Sequence, residues 1–219
     1  MDIISCHEFA AICHDTNTQI IKFGKVDQPK VFEKNGNTII KLFYPKRRKI
    51  TSDRIRPRAI RFYRNVDKLF GRGYSVPRID KMQFCPDLKM YLLYYPKIQG
   101  CNVRYHAQNG NLDIITEVAR LLADLHKKGI FFRSIHLENL LYQPDGKFAL
   151  LDVTDVKFRS GALSLYLRYR NIKHLLNEPM DKEIWHAFGI SRFMSEYFRF
   201  AGLKHYSGLL LNRLVMRKS

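Results

Sequence analysis

The segment from residue 112 to residue 155 limits what this chain can fold into more than any other. Residues 112–128 place Ile114, Ile115, Val118, Leu121, Leu122 and Leu125 on one apolar stripe at helical spacing. Lys127 and Lys128 suit the last turn, where cations meet the negative end of the helix dipole, and Gly129 suits its stop. A loop then runs to Asn139. Two short strand-like runs follow, 139–142 and 148–152, joined by the turn sequence Gln143-Pro144-Asp145-Gly146. The layout is a helix ending on glycine, a loop ending on an amide, and a tight hairpin ending on the carboxylate of Asp152.

The residues before this segment read as β-rich. Runs at 19–23, 30–33, 38–44, 78–84 and 90–95 have strand character, and Asn35-Gly36 between the second and third is a hairpin signal. A basic helix is expected over 57–70, with Pro57 in its first turn and Gly71 and Gly73 at its end. The residues from 163 to 216 read as mostly helical. The expected fold class is α+β, with a small β-rich lobe over 1–98 (five strands and one helix) and a mainly helical lobe over 99–219 that carries the hairpin.

Composition narrows the setting. Hydrophobic residues make up 46% of the chain and charged residues 26%, enough to bury a core. No apolar run approaches the ~18–20 residues that span a bilayer, and the first residues have no secretory pattern. A cytoplasmic location is expected. Cys6, Cys13, Cys85 and Cys101 form no Cys-x-x-Cys pair, so reduced thiols are expected rather than a metal site. The net charge of +18 favours a polyanionic partner: nucleic acid, an anionic membrane face or a phosphorylated glycan.

The 129–155 layout resembles the catalytic loop and metal-binding strand of protein kinases and small-molecule kinases. The resemblance implies a protein-kinase-like fold with ATP and Mg²⁺ as cofactors. Asn139 and Asp152 match the positions that supply a carbonyl and a carboxylate oxygen, the hard ligands Mg²⁺ takes. Lys41, in the third strand-like run, matches the lysine that holds the α- and β-phosphates. The helix that follows lacks the glutamate that usually pairs with such a lysine, and Glu33 on the neighbouring strand is the alternative partner. The glycine-rich phosphate loop is thin, with only Gly24 between Lys22 and Lys30. Ser134 stands where these families carry a catalytic aspartate, and a neutral hydroxyl is a poor proton acceptor near neutral pH. His136 and Asp155 are the substitutes for a general base; the third option is that no strong base is present.

The phrases Phe132-Arg-Ser-Ile-His-Leu-Glu-Asn139, Leu150-Leu-Asp-Val-Thr-Asp155 and Arg168-Tyr-Arg-Asn-Ile-Lys-His174 resemble the bacterial lipopolysaccharide core kinase and Kdo kinase group, with its toluene-tolerance-protein relatives. That resemblance implies phosphorylation of a core-sugar hydroxyl in lipopolysaccharide biosynthesis, at the cytoplasmic side of the inner membrane. The partner is then the core glycan or another anionic glycolipid, with peripheral membrane contact. Between Lys46 and Arg64 nine basic residues face a single acid, Asp53. Arg58, Arg61, Arg133, Arg168 and Arg170 are the candidate anion-binding side chains. A catalytically weak pseudokinase serving as a scaffold in envelope biogenesis is the alternative, resting on Ser134 and the missing glutamate. Nucleic-acid binding rests on charge alone, since no zinc-finger, ribonucleoprotein or helix-turn-helix signature is present.

Overall fold

A computed structural model describes residues 1–24, 28–45 and 57–216. The basic run from Lys46 to Arg56 lies outside the described residues. The chain divides into two compact units, Met1–Gln99 and Gly100–Ser219.

The first unit contains β1 (Asp2–Ile3), α1 (Cys6–His14), β2 (Thr18–Phe23), β3 (Pro29–Lys34), β4 (Thr38–Phe43), α2 (Arg58–Phe70), β5 (Lys81–Cys85) and β6 (Met90–Pro96). The strands form one sheet in the order β1-β5-β6-β4-β3-β2. Every pairing is antiparallel except β1 on β5. The expected Asn-Gly turn joins β3 to β4: Asn35 and Gly36 both take positive φ, 52° and 70°, the backbone that matches the twist of a hairpin. The sheet has one more strand and the unit one more helix than expected. Helix α1 carries a capping box, in which Ser5 Oγ accepts from the Glu8 amide at 3.2 Å and Glu8 Oε2 accepts from the Ser5 amide at 2.7 Å.

Strand β4 lies in the sheet interior between β3 and β6 and is buried on both faces. Ile40 and Leu42 join Phe32, Met90 and Leu92 in a core against which Phe9 and Ile12 of α1 pack. Ile39, Lys41 and Phe43 point to the opposite face, since side chains alternate along a strand. Helix α2 lays Phe62 there, with its ring 5.6 Å from that of Phe43 and 6.5 Å from that of Tyr95. Burying a phenylalanine of this kind contributes about 1.5–3 kcal/mol.

The second unit contains β7 (Cys101–Asn102), α3 (Val103–Gln108), α4 (Ile114–Lys127), β8 (Ile130–Phe132), β9 (Leu140–Tyr142), β10 (Phe148–Leu150), β11 (Val156–Phe158), α5 (Leu165–Leu176), α6 (Lys182–Phe188), α7 (Ile190–Ala201) and α8 (His205–Met216). Helix α4 buries Ile114, Ile115, Val118, Leu122 and Leu125 and packs chiefly against α7. It stops at Gly129, where φ is +71°. A Cβ there would stand 2.3 Å from the Gly161 carbonyl oxygen, so no other residue fits. Strands β9 and β10 form the expected hairpin, and β7 adds to β9. Strand β8 pairs antiparallel with β11, Phe132 opposite Val156 and Ile130 opposite Phe158. Among the described residues, no helix is long and apolar enough to cross a membrane.

Candidate active site

The loop after β8 is held at three points. Asn171 of α5 clamps both polar groups of Phe132: its Oδ1 accepts from the Phe132 amide at 3.1 Å, and its Nδ2 donates to the Phe132 carbonyl at 2.8 Å. Further on, the Leu137 amide donates to Asp181 Oδ2 at 3.1 Å. At the loop's end, Asn139 Nδ2 donates to the Ser134 carbonyl at 2.9 Å and the Asn139 amide donates to the His136 carbonyl at 3.0 Å. The loop therefore closes on itself, and the residue expected to ligate metal is also the residue that closes it.

This closure sets the direction of the Asn139 amide. With Nδ2 committed to Ser134, Oδ1 is the end left to accept, on a side chain whose residue is only 6% exposed. The Asn139 carbonyl accepts from the Leu151 amide at 3.0 Å, which ties the loop to the residue just before Asp152. Asp152 is half-buried between β10 and a 3-10 turn over Val153–Asp155, and its Oδ1 accepts from Thr154 Oγ1 at 2.9 Å. One backbone bond thus ties the loop ending on Asn139 to the residue that precedes Asp152. An amide oxygen and a carboxylate are hard donors that fit Mg²⁺. Ser134, His136 and Asp155 are half-buried on the same segment.

Beneath the loop lies a buried polar network that has no one-dimensional signature. Asp181 is fully buried and accepts from Arg104 Nε at 2.6 Å as well as from Leu137. Arg104 also reaches Glu138 at 3.4 Å. His126 of α4 sits 2.8 Å from the Tyr197 hydroxyl through Nδ1 and 3.2 Å from Asn171 Oδ1 through Nε2. An amide oxygen only accepts, so Nε2 carries the proton and Nδ1 accepts from Tyr197. Burial pushes the His126 pKa down to about 3, so the ring is neutral at ordinary pH. Burial pushes Tyr197 up to about 12.

Arg168 belongs to this network, which corrects its expected role. It is buried, donating through Nε to the Leu163 carbonyl at 2.9 Å and through Nη1 to the Tyr197 hydroxyl at 2.8 Å. An arginine held this way braces α5 and α7 and does not meet a substrate. Arg133 and Arg170 are exposed. Both lie near enough to His174 to act on it: burial holds its pKa below the ordinary value, and the charges of Arg133, Arg170 and Lys173 push it further the same way. Arg133, the residue that precedes Ser134, therefore belongs to a cationic cluster with Arg170 and Lys173.

In the first unit, Lys41 is 5% exposed on the interior strand β4, not on an edge. Its Nζ lies 4.4 Å from the centre of the Phe62 ring. Glu33 shares this face of the sheet, but its carboxylate binds Lys97 Nζ at 2.8 Å, so the expected Glu33–Lys41 pair is replaced by Glu33–Lys97. Arg58 and Arg61 are half-buried on α2.

No family model matches the chain. Among curated proteins, the MAP kinase-interacting serine/threonine-protein kinase 1 of Xenopus tropicalis is 25% identical over 108 residues, 46% of this chain and 26% of that protein. The chain therefore spans about a quarter of the length of the curated relative it matches. Among solved structures, the aminoglycoside-3'-phosphotransferase of type VIII is 14% identical with a TM-score of 0.60, covering 91% of this chain and 92% of that one. WbdD in a co-crystal with a kinase inhibitor is 15% identical with a TM-score of 0.50, covering 86% and 48%. The chain has the protein-kinase-like α+β fold, with a sheet-based first unit and a helical second unit.

Proposed function

We propose that this chain is an ATP- and Mg²⁺-dependent phosphotransferase acting on a sugar hydroxyl of the lipopolysaccharide core. The observation that carries the reading is the Asn139–Ser134 bond, which commits Nδ2 and leaves Asn139 Oδ1 as the accepting end, on a loop that the Leu151 amide ties to the strand leading to Asp152. When bound, Mg²⁺ would neutralise charge on the nucleotide phosphates; Asn139 and Asp152 are the residues that would hold it. Lys41 would meet the phosphates. Phosphoryl transfer leans on positioning and electrostatics, so a serine at the base position lowers the rate without removing the reaction. His136 or Asp155 would take the hydroxyl proton.

The substrate class rests on the likeness of the 132–139, 150–155 and 168–174 segments to core-sugar kinases. The cluster of Arg133, Arg170 and Lys173 around His174 supports it, because cations beside the loop suit a phosphorylated glycan. A cytoplasmic enzyme touching the inner membrane only at its periphery fits this role. ATP turnover on isolated core glycan tests the reading: absent turnover, with Asp152→Ala indistinguishable from wild type, would sink it.

A pseudokinase scaffold is the second reading, favoured by Ser134 at the base position. It predicts that Mg-ATP does not raise the melting temperature. Gain of phosphorylation in Ser134→Asp would instead mark a slowed enzyme.

A further inference from the structure

Helix α8 is apolar on two sides, one more than a helix on the surface of a water-facing protein shows. Leu211 and Val215 are buried on the inner side, where α8 packs on α5. The outer side is also apolar: Tyr206 is 84% exposed, Leu209 55% and Leu210 51%, with Leu214 and Met216 exposed beside them. At ~100° per residue these five side chains fall on one side of the helix, and Arg213 lies among them. A slot of about 280 Å³ opens alongside, between Phe198, Leu203, Gly208 and Leu209, with Lys204 at its wall.

Charge decides what covers this face. Helix α8 carries no acid, whereas Arg213 lies on its outer side and Lys204 stands just before its first residue. A second copy is a poor occupant, since it would bring Arg213 and its neighbours against their own kind on chains that each carry +18. An acid-free face of leucine and tyrosine, studded with cations, matches a surface that is apolar below and anionic above.

We propose that α8 lies flat on an anionic lipid surface, with Tyr206, Leu209, Leu210 and Leu214 entering the acyl boundary and Lys204 and Arg213 meeting lipid phosphates. This is interfacial attachment, not a span. It does not rest on the phosphotransfer reading. It also places the attachment in the second unit.

The test is co-sedimentation of the full chain with phosphatidylcholine vesicles, with and without phosphatidylglycerol. Binding is expected only to the anionic vesicles and is weakened by salt. Leu209→Gln with Leu210→Gln should lower affinity about tenfold or more while leaving the melting temperature unchanged, because both side chains are more than half exposed. Arg213→Gln should reduce binding by less. No binding to anionic vesicles would overturn the proposal, as would undiminished binding by the double variant. It also fails if light scattering shows that the double variant turns a dimer into a monomer, for the face would then be covered by a second copy. Vesicle binding requires no nucleotide, so its failure and a failure of turnover are separate results.

Discussion

Removing Asp181 should loosen the loop between β8 and β9 by an amount that follows from its two bonds. In Asp181→Ala, the Leu137 amide loses its acceptor at 3.1 Å inside a region where both residues are fully buried. An orphaned buried donor costs about 1–3 kcal/mol. Arg104 loses its 2.6 Å partner and keeps only the longer contact to Glu138. Breaking a buried ion pair costs about 3–5 kcal/mol, and the Arg104 side chain is slightly exposed, so the lower end applies. The two overlap, giving about 4 kcal/mol, a large share of the ~5–15 kcal/mol that holds a domain together. Urea unfolding followed by circular dichroism measures it, with Asp181→Asn as the milder variant if the alanine does not fold. The charge part has its own check: Arg104→Met in the Asp181→Ala background should recover stability, because it removes the stranded cation. A loss below about 1 kcal/mol, or a double variant weaker than the single by the full cost of Arg104→Met alone, would refute the reasoning.

Asp152→Asn should keep the fold and abolish any Mg-dependent rise in melting temperature with ATP; an unchanged shift in a thermal titration would remove Asp152 from the metal site. His126 should make stability acid-sensitive: its folded pKa of about 3 lies below the ordinary value of 6.5, so the unfolded chain takes up a proton first, and stability falls as pH drops from about 6.5 toward 3. In His126→Gln that part of the pH profile should flatten, as measured by unfolding between pH 7 and 4. Gly129→Ala should cost well over 1 kcal/mol, since it combines a φ of +71° with a Cβ driven onto two carbonyl oxygens, and calorimetry would show the lower midpoint.

The parts of this molecule written in local pattern were legible from the chain alone. The α4 stripe, the Asn35-Gly36 hairpin and the order helix, loop, hairpin all depend on neighbours within a few residues. Helix α1 carries a local signal as well: Ser5 and Glu8 form the capping box at its start. Strands β1, β7, β8 and β11 are two or three residues long, too short to show a period, and exist because a partner strand supplies their hydrogen bonds. Arg168 shows why charge type misleads: in a basic stretch it reads as a ligand for anions, yet it pairs with Tyr197, twenty-nine residues away. Asn171 and Asp181 carry no sequence mark, because what makes them matter is the backbone they touch at Phe132 and Leu137.

The pairing of β8 with β11 has one more consequence. Residues 133–155 are bracketed by this two-stranded ladder, with Phe132 opposite Val156 at the end nearest the loop, and are tied to the rest of the unit by β7 on β9 and by Leu137 on Asp181. Everything between is a cassette, braced internally by Asn139 to Ser134 and by Leu151 to Asn139. Side chains inside such a cassette can be exchanged without redrawing its mouth. The bond to Asn139 uses the backbone carbonyl of Ser134 and not its side chain, so the side chain at 134 can change while the Asn139 amide keeps its place.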